Sequence, residues 1–510
     1  MESISTDVLI IGAGAAGIRA AIAACESGAD VVMVAAEDVA YGGATFSEIS
    51  NGWGIQALVG TERSAGNLED FYDDIIRVGL GQSDPDLVRI LVEESGPRID
   101  DLIRYGLKFR KSSDGKYIRA RGCFSKSERA FLTSDMANIR QTFLSILRRL
   151  PVRVVTGTAT DLILAEGACQ GSWLMIKSGK FVSISAKSTI LATGGGSGIF
   201  KDHLGNGAGS GDGYALAHRA GAELTNMEFI QFALGLKNNG TRKFLPIGQL
   251  TQPDRIINAA GCDILKKYIP DSSTRSRILK DRQAHMPFSC RDSAGLVDIG
   301  VAEALQKNTR LFWQHNGSGA SRFEVAHLAH AFNGGVKIND RGESTVPGLY
   351  AAGEVATGAY GADRIGGCMM TATQVFGKRA GQFAAERAKK SRKKFTPPSR
   401  QKGVNSWQQS EISDEAMQAF GAIERRVKSA MGQHAGVLRC KKGLKKCTGI
   451  LETSTAQLQA LELCGLANTE RYYKVRNMLI TANLVVEAAL ARQKSKGSHY
   501  REDDRKAYSS

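Results

Sequence analysis

Apolar positions along this chain follow two rhythms, and the order of the rhythms outlines a fold. DVLIIGAG is a short apolar run rich in β-branched residues and predicts a strand beginning at Asp7. AAGIRAAIAACESG follows with Ala and Ile at helical spacing and a closing Gly28. ADVVMVA predicts a second strand. Strand, glycine turn, helix and strand make a βαβ unit of the size that binds dinucleotides. A Gly-rich loop, YGGATFSEISNGWG, comes next, and helical spacing then runs through about 66–106, with a start signal at Pro85. Residues 151–195 read as strands. Residues 232–325 lose a regular pattern and predict an inserted domain. GGVKINDRGESTVPGLYAAGE returns to strand character. After a linker near 387–405 the pattern is helical to the end, with amphipathic faces in AFGAIERRVKSAM and RNMLITANLVVEAALARQKS. No repeat of solenoid period is present.

Composition narrows this picture. The 510 residues, 42% hydrophobic, suffice for more than one domain. A net charge of +16 points to acidic partners: nucleic acid, an anionic membrane or small acids. Much of that excess is local, in ERAKKSRKKFTPPSRQKG (386–403) and RCKKGLKKC (439–447). Neither block interleaves aromatic residues, which disfavours nucleic acid. Each reads as a solvated loop or as a docking surface for an acidic protein. The nine cysteines are odd in number and form no C-x-x-C pair, so no disulfide framework, zinc site or iron–sulfur site is expected. Thiols of this kind suit a cytoplasmic protein. No signal-like start and no apolar window of membrane-spanning length is seen.

The chemistry begins at GAGAAG. Gly12, Gly14 and Gly17 have G-x-G-x-x-G spacing between a strand and a helix. Gly12 permits the turn, Gly14 lets a pyrophosphate approach, and Gly17 lets helix and strand pack. Ala15 and Ala16 then present the helix N-terminus to the phosphates. Glu37 is the first acid after the second strand, either a ribose ligand or a plain surface acid. Two later strands favour FAD over NAD. STILATGGG ends in Thr193 and Gly194, and GLYAAGEVA ends in Gly353 and Glu354. The three segments fit one long dinucleotide. Glu354 would accept from a ribityl or ribose hydroxyl, or instead pair with a nearby arginine.

These motifs carry a resemblance over nearly the whole chain. GAGAAGIRAAIAA, ILATGGGSGIF, GSGDGYALAHRAGAELTNMEFIQF, HAFNGGVKIN, GLYAAGEVATGAYGADRIGG and SKGSHYREDDRK are similar, in order, to segments of the FAD-dependent succinate dehydrogenase / fumarate reductase flavoproteins, including L-aspartate oxidase. The resemblance implies an α/β fold. A Rossmann-like FAD-binding domain (1–231 and 326–390) would carry an inserted α+β capping domain (232–325) and a C-terminal helical domain (405–510). It implies an oxidoreductase that moves a hydride between flavin N5 and a carbon beside a carboxylate. It places Arg364 as the carboxylate-binding arginine, His330 as the substrate histidine and Arg291 as the proton shuttle. It adds Gly43, Ala44, Thr45 and Asp212 to the FAD contacts, and it expects His499 to tie the tail to the FAD domain. Ala44 lies near the place of the histidine that links flavin covalently in succinate dehydrogenase, so FAD is expected to be non-covalent. No metal is expected.

The chain also departs from the pattern. Ala233 and Leu234 stand where the family has His-Pro, Asp363 where it has Asn, and Arg121 near the acid that handles an amino group in aspartate oxidase. The Thr-Glu pair expected near LPIGQLTQPDR is not found. Cys368, beside the flavin in this pattern, reads as a small packing residue. Loss of these donors predicts weak turnover of fumarate and succinate and a differently shaped small acid as substrate. Two other readings are an amino-acid oxidase like L-aspartate oxidase and the flavoprotein subunit of an electron-transfer complex with an iron–sulfur partner.

Overall fold

Parallel strands order the first lobe of the molecule, a computed structural model that describes residues 2–47, 49, 52–205, 209–238, 241–245, 255–307, 309–314, 322–391, 414–463 and 469–504. β1 (Glu2–Ile11) lies between β2 (Val31–Ala35) and the strand Phe181–Leu191. The start of Val152–Ala165 pairs with β2, and Leu349–Ala351 pairs with the end of Phe181–Leu191. All these pairings are parallel. The antiparallel strand Ala168–Ile176 joins the far ends of its two neighbours. β1 begins five residues earlier than the apolar run suggests, because Glu2–Thr6 continue the ladder against Val182–Ala186. That segment is polar apart from Ile4, so backbone pairing extends the strand where burial does not.

The ladder also aligns the strand ends. Ile11 and Ala351 both register with Leu191, which brings three carboxyl ends to one edge, where parallel sheets bind ligands. The helix α1 (Ala15–Glu26) leaves that edge. Gly12 makes the turn possible: its φ is +115°, and a Cβ there would sit 2.2 Å from the Ala192 carbonyl oxygen. Against α1 runs the long helix Cys368–Lys390, with Gly381 lying over the backbone of Ala20.

Residues 232–325 are more ordered than their pattern suggests. The strands Ile230–Asn238, Thr241–Phe244, Arg255–Asn258, Leu311–Gln314 and Arg322–Phe332 form a second sheet, antiparallel throughout. Three of these strands have only four residues, too few to display a period of two. The helices Ser272–Arg282 and Gly295–Gln306 cover the sheet, and Arg282 and Asp298, both fully buried, join them through a 2.7 Å ion pair.

The helices Asp414–His434, Lys441–Leu463 and Glu470–Ala491 supply the helical C-terminal part. The expected linker near 387–405 begins later than its pattern implies, since helix persists to Lys390. Residues 392–405, and with them most of the basic block 386–403, lie outside the described residues. The second basic block places Lys441, Lys442, Lys445 and Lys446 at the surface. Among the described residues no helix is long and apolar enough to cross a membrane.

Candidate active site and cofactor cradle

The cradle forms where three strand ends meet. Thr45 Oγ1 accepts from the Ala15 N–H at 3.1 Å, which sets the loop 43–45 over the start of α1. Gly14, the residue before that helix, has no side chain with which to cap it. Gly43 turns at φ +74°, and Ala44 and Thr45 begin a short 3-10 turn. Ala16 lies beside Gly353, where a Cβ would be 2.8 Å from its methyl, and Gly17 packs on Gly12. Gly194 turns at φ +75° after Thr193, whose buried hydroxyl has no hydrogen-bond partner among the described residues.

Glu354 points across this edge. One carboxylate oxygen accepts from the Phe332 N–H at 2.9 Å. The carboxylate lies over Gly195, where a Cβ would meet it at 2.1 Å. Among the described residues Glu354 forms no ion pair. Burial raises its proton affinity, opposed by the Phe332 N–H and Arg364. Glu37 is exposed against Gly42. Asp212 accepts from Ser210 Oγ at 3.0 Å and Asn477 Nδ2 at 2.7 Å, which ties the cradle to the helix Glu470–Ala491. An unsatisfied threonine hydroxyl, a glycine-faced carboxylate and a side-chain-free helix start fit an extended dinucleotide.

The catalytic candidates divide between two neighbouring residues. Arg364 is 6% exposed. Its Nη2 donates to Gln231 Oε1 at 2.8 Å, and its Nη1 to the Ile365 carbonyl at 3.2 Å. Gln231 Nε2 returns a bond to the Arg364 carbonyl at 3.3 Å. Both partners of the guanidinium are neutral, and among the described residues its Nε has no partner and no acid pairs with it. Asp363 instead pairs with Arg291. Asp363 Oδ2 accepts from Arg291 Nε at 2.9 Å and from Ser289 Oγ at 2.7 Å, and lies 2.8 Å from Arg291 Nη2. Arg291 Nη2 also donates to the Val78 carbonyl at 2.6 Å. The other oxygen of Asp363 is buried without a partner among the described residues. Burial raises the proton affinity of Asp363, opposed chiefly by Arg291.

His330 lies near Arg364, with Phe244 edge-on at 5.2 Å. Burial, aided by the Arg364 charge, pushes its pKa down to about 3, so the ring is neutral at neutral pH. The unfolded chain binds more protons between pH 6.5 and the folded value, so this residue subtracts stability as pH falls. His330→Gln is therefore expected to unfold with a smaller loss of stability between about pH 7 and pH 5 than the parent, read from urea midpoints. Equal losses would contradict the burial of a neutral ring.

Other expectations resolve differently. His327, three residues before His330, reaches Asp298 through Nε2 at 3.3 Å. Arg121 is exposed on Arg119–Arg121. Cys368 is buried, and burial pushes its thiol up to about 12, in keeping with packing. Ala233 is fully buried in the second sheet. Residues 246–254, which hold most of LPIGQLTQPDR, lie outside the described residues. His499 meets Phe229 edge-on at 6.4 Å, and Arg439 Nη1, 2.7 Å from its ring nitrogen, donates to the Glu228 carbonyl at 2.7 Å.

Several supports of the site carry no sequence signal of their own. Gln231 stands in plain view in QFALG, but the family's pattern marks its neighbour Ala233 instead. Phe124 lies between the Arg291 guanidinium, 4.9 Å from its ring centre, and the stacked His285 ring at 4.6 Å. Ser498 donates from Oγ to the Ala362 carbonyl at 2.9 Å, and Cys290 N–H donates to the Gly497 carbonyl at 2.8 Å. The tail thus braces the residues beside both arginines. No local motif announces contacts made over such separations.

Comparison with known proteins agrees with this architecture. Residues 7–241 and 283–370 match the FAD binding domain family, and residues 424–507 match the fumarate reductase flavoprotein C-terminal family. The protein is an FAD-dependent oxidoreductase. It belongs to the succinate dehydrogenase / fumarate reductase flavoprotein family. The chain is 29% identical to one of the subunits of the fumarate reductase (CoM/CoB) of Methanothermobacter marburgensis, over 98% of this chain and 95% of the relative. It is 27% identical to the L-aspartate oxidase of Bacillus subtilis, over 97% and 91%. In fold it is similar to FrdA of E. coli quinol fumarate reductase, with a TM-score of 0.78 at 21% identity over 99% of this chain and 92% of that one.

Proposed function

We propose that this flavoprotein interconverts a small carboxylic acid and its dehydrogenated form, and that plain succinate and fumarate are poor substrates. The observation that carries this reading is Arg364, a buried guanidinium bonded, among the described residues, only to neutral groups. A buried cation without a counter-ion is strongly disfavoured, so the site favours an anion there. Bound FAD supplies the hydride acceptor or donor. Arg364 holds a substrate carboxylate, with Gln231 fixing the guanidinium plane. His330, kept neutral, offers a hydrogen bond to the same acid without adding charge. Arg291 hands a proton to, or takes one from, the reacting carbon, and Asp363 on its Nε and Nη2 orients it and relays that proton. Gly12, Gly14, Ala15, Ala16, Gly17, Glu37, Gly43, Ala44, Thr45, Thr193, Gly194, Asp212, Gly353 and Glu354 line or support the FAD cradle. The division into an FAD-binding part, a capping domain over 232–325 and a helical domain from 405 follows the same reading.

The substrate exclusion rests on Ala233, which offers no donor where the family has histidine, and on the Thr-Glu pair that LPIGQLTQPDR lacks. Each carboxylate oxygen left without a donor in the closed cleft costs about 1–3 kcal/mol. Steady-state reoxidation of the chemically reduced enzyme by a panel of unsaturated acids tests this. Efficient turnover with fumarate would reject it. Arg291→Gln is expected to abolish turnover while leaving the FAD content intact; unchanged turnover would remove Arg291 from proton transfer.

Ala44 has no nucleophilic side chain, so FAD is held non-covalently. Acid precipitation is expected to release all the flavin to the supernatant; flavin retained in the pellet would contradict this. Relatives named as subunits favour an electron-transfer partner, and an iron–sulfur protein docking on the exposed lysines 441–446 is the form we propose, in the cytoplasm. Its support would be co-purification with an iron-containing protein that is lost when these lysines become glutamate. The second reading, an oxidase like the L-aspartate oxidases that the chain resembles, predicts hydrogen peroxide with an amino acid.

A further inference from the structure

A second concentration of positive charge lies outside the site described above. The helices Pro85–Arg104 and Cys368–Lys390 enclose a cavity of about 290 Å³. Arg98 and Lys378 line it from opposite helices, with Phe383 forming an apolar wall. Arg98 is only 5% exposed. Its Nε contacts Asp101 at 3.0 Å, but that carboxylate also holds Arg19 at 2.7 Å and Arg104. One acid therefore serves three guanidinium groups. Among the described residues no hydrogen bond reaches the terminal nitrogens of Arg98 or the ammonium of Lys378. Glu94, the acid in the lining, is engaged by Arg379. Burial and the charges of Arg98 and Arg19 lower the proton affinity of Lys378, and burial lowers that of Arg98, against the opposing charges of Asp101 and Glu94.

We propose that this cavity binds a small oxyanion, the phosphate or carboxylate group of a metabolite. A guanidinium fork and an ammonium facing one space match the oxygens of such a group, and an anion there would relieve the mutual repulsion of the cations. The apolar wall leaves room for a small organic part beside the charged head. The site stands apart from the catalytic reading: Lys378 lies about 15 Å of helix beyond Cys368, where the helix that follows the Arg364 loop begins.

The test uses the full FAD-loaded chain, titrated calorimetrically with inorganic phosphate and, separately, with malonate. The parent and an Arg364→Gln variant are both expected to show saturable binding outside the active site. Lys378→Met keeps the aliphatic stem and is expected to weaken that binding at least tenfold. Arg98→Gln should do the same where it folds, and Lys378→Met carries the test alone where it does not. Tighter phosphate binding would identify a phosphorylated ligand, and tighter malonate binding a carboxylate one. Binding lost in Arg364→Gln, parent-like binding by Lys378→Met, or only a non-saturable salt response would overturn the proposal.

Discussion

Replacing Arg364 by glutamine lowers kcat/KM for the best acid substrate on the order of 10³-fold, while FAD stays bound. The size follows from burial. Truncating one partner of a desolvated, hydrogen-bonded charge pair costs about 3–5 kcal/mol, and each 1.4 kcal/mol is tenfold. Here the pair forms only when the substrate carboxylate arrives, since Arg364 has neutral partners in the protein. The loss therefore falls on binding and on the transition state together, while the fold loses little. Arg364→Lys should rescue only part of the activity, because an ammonium cannot both engage Gln231 and present two parallel donors. Reoxidation of the reduced flavin, followed with flavin content as a control, measures this. A variant with parent kcat/KM and full flavin would show that the unpaired charge serves something other than substrate.

Asp298→Asn destabilises the lobe of the second sheet by about 3–5 kcal/mol, the cost of stranding one member of a buried ion pair. Arg282 and Asp298 are both fully buried, at 2.7 Å, and asparagine keeps the shape while removing the charge. Arg282 would retain its bonds to the backbone of His285 and Met286, but its charge would lose its counter-ion. The effect should reach the active site. His285 stacks on Phe124, and Phe124 lies under Arg291, so a loosened Arg282 loop moves the Arg291 guanidinium. Urea unfolding followed by tryptophan fluorescence reports the stability, since Trp313 lies in that sheet. A parent-like midpoint would show that the pair sets geometry without net stabilisation.

Both predictions depend on partners that no local pattern displays. The second sheet looks irregular in the sequence because its short strands carry too few residues to reveal a period, and their pairing crosses long stretches of chain. Asp363 is visible as a substitution, yet nothing in GADRIGG says that it turns to Arg291 and leaves Arg364 bare. His327 and His330 look like a pair in sequence. The ladder slips between them, with Phe232 facing Ala329 and Gln231 facing Ala331, so His330 is the extra residue of a bulge; His327 reaches Asp298 while His330 meets the Arg364 charge.

The sequence by itself determined the dinucleotide-binding unit, the order of the FAD segments and the family. Those features are local: a glycine at a turn, a strand before it and a helix after it are constraints that neighbouring residues impose on one another. It also showed that Ala233 brings no donor, since that needs only the identity of the residue. Only the tertiary structure decided which charge answers which. The strand register gathers three ends around the cradle, the tail braces Ala362 and Cys290, and burial at one loop leaves Asp363 spent on Arg291 and Arg364 without an acid among the described residues. Ion pairing requires groups to meet within a few ångströms, and chain folding across hundreds of residues sets those distances.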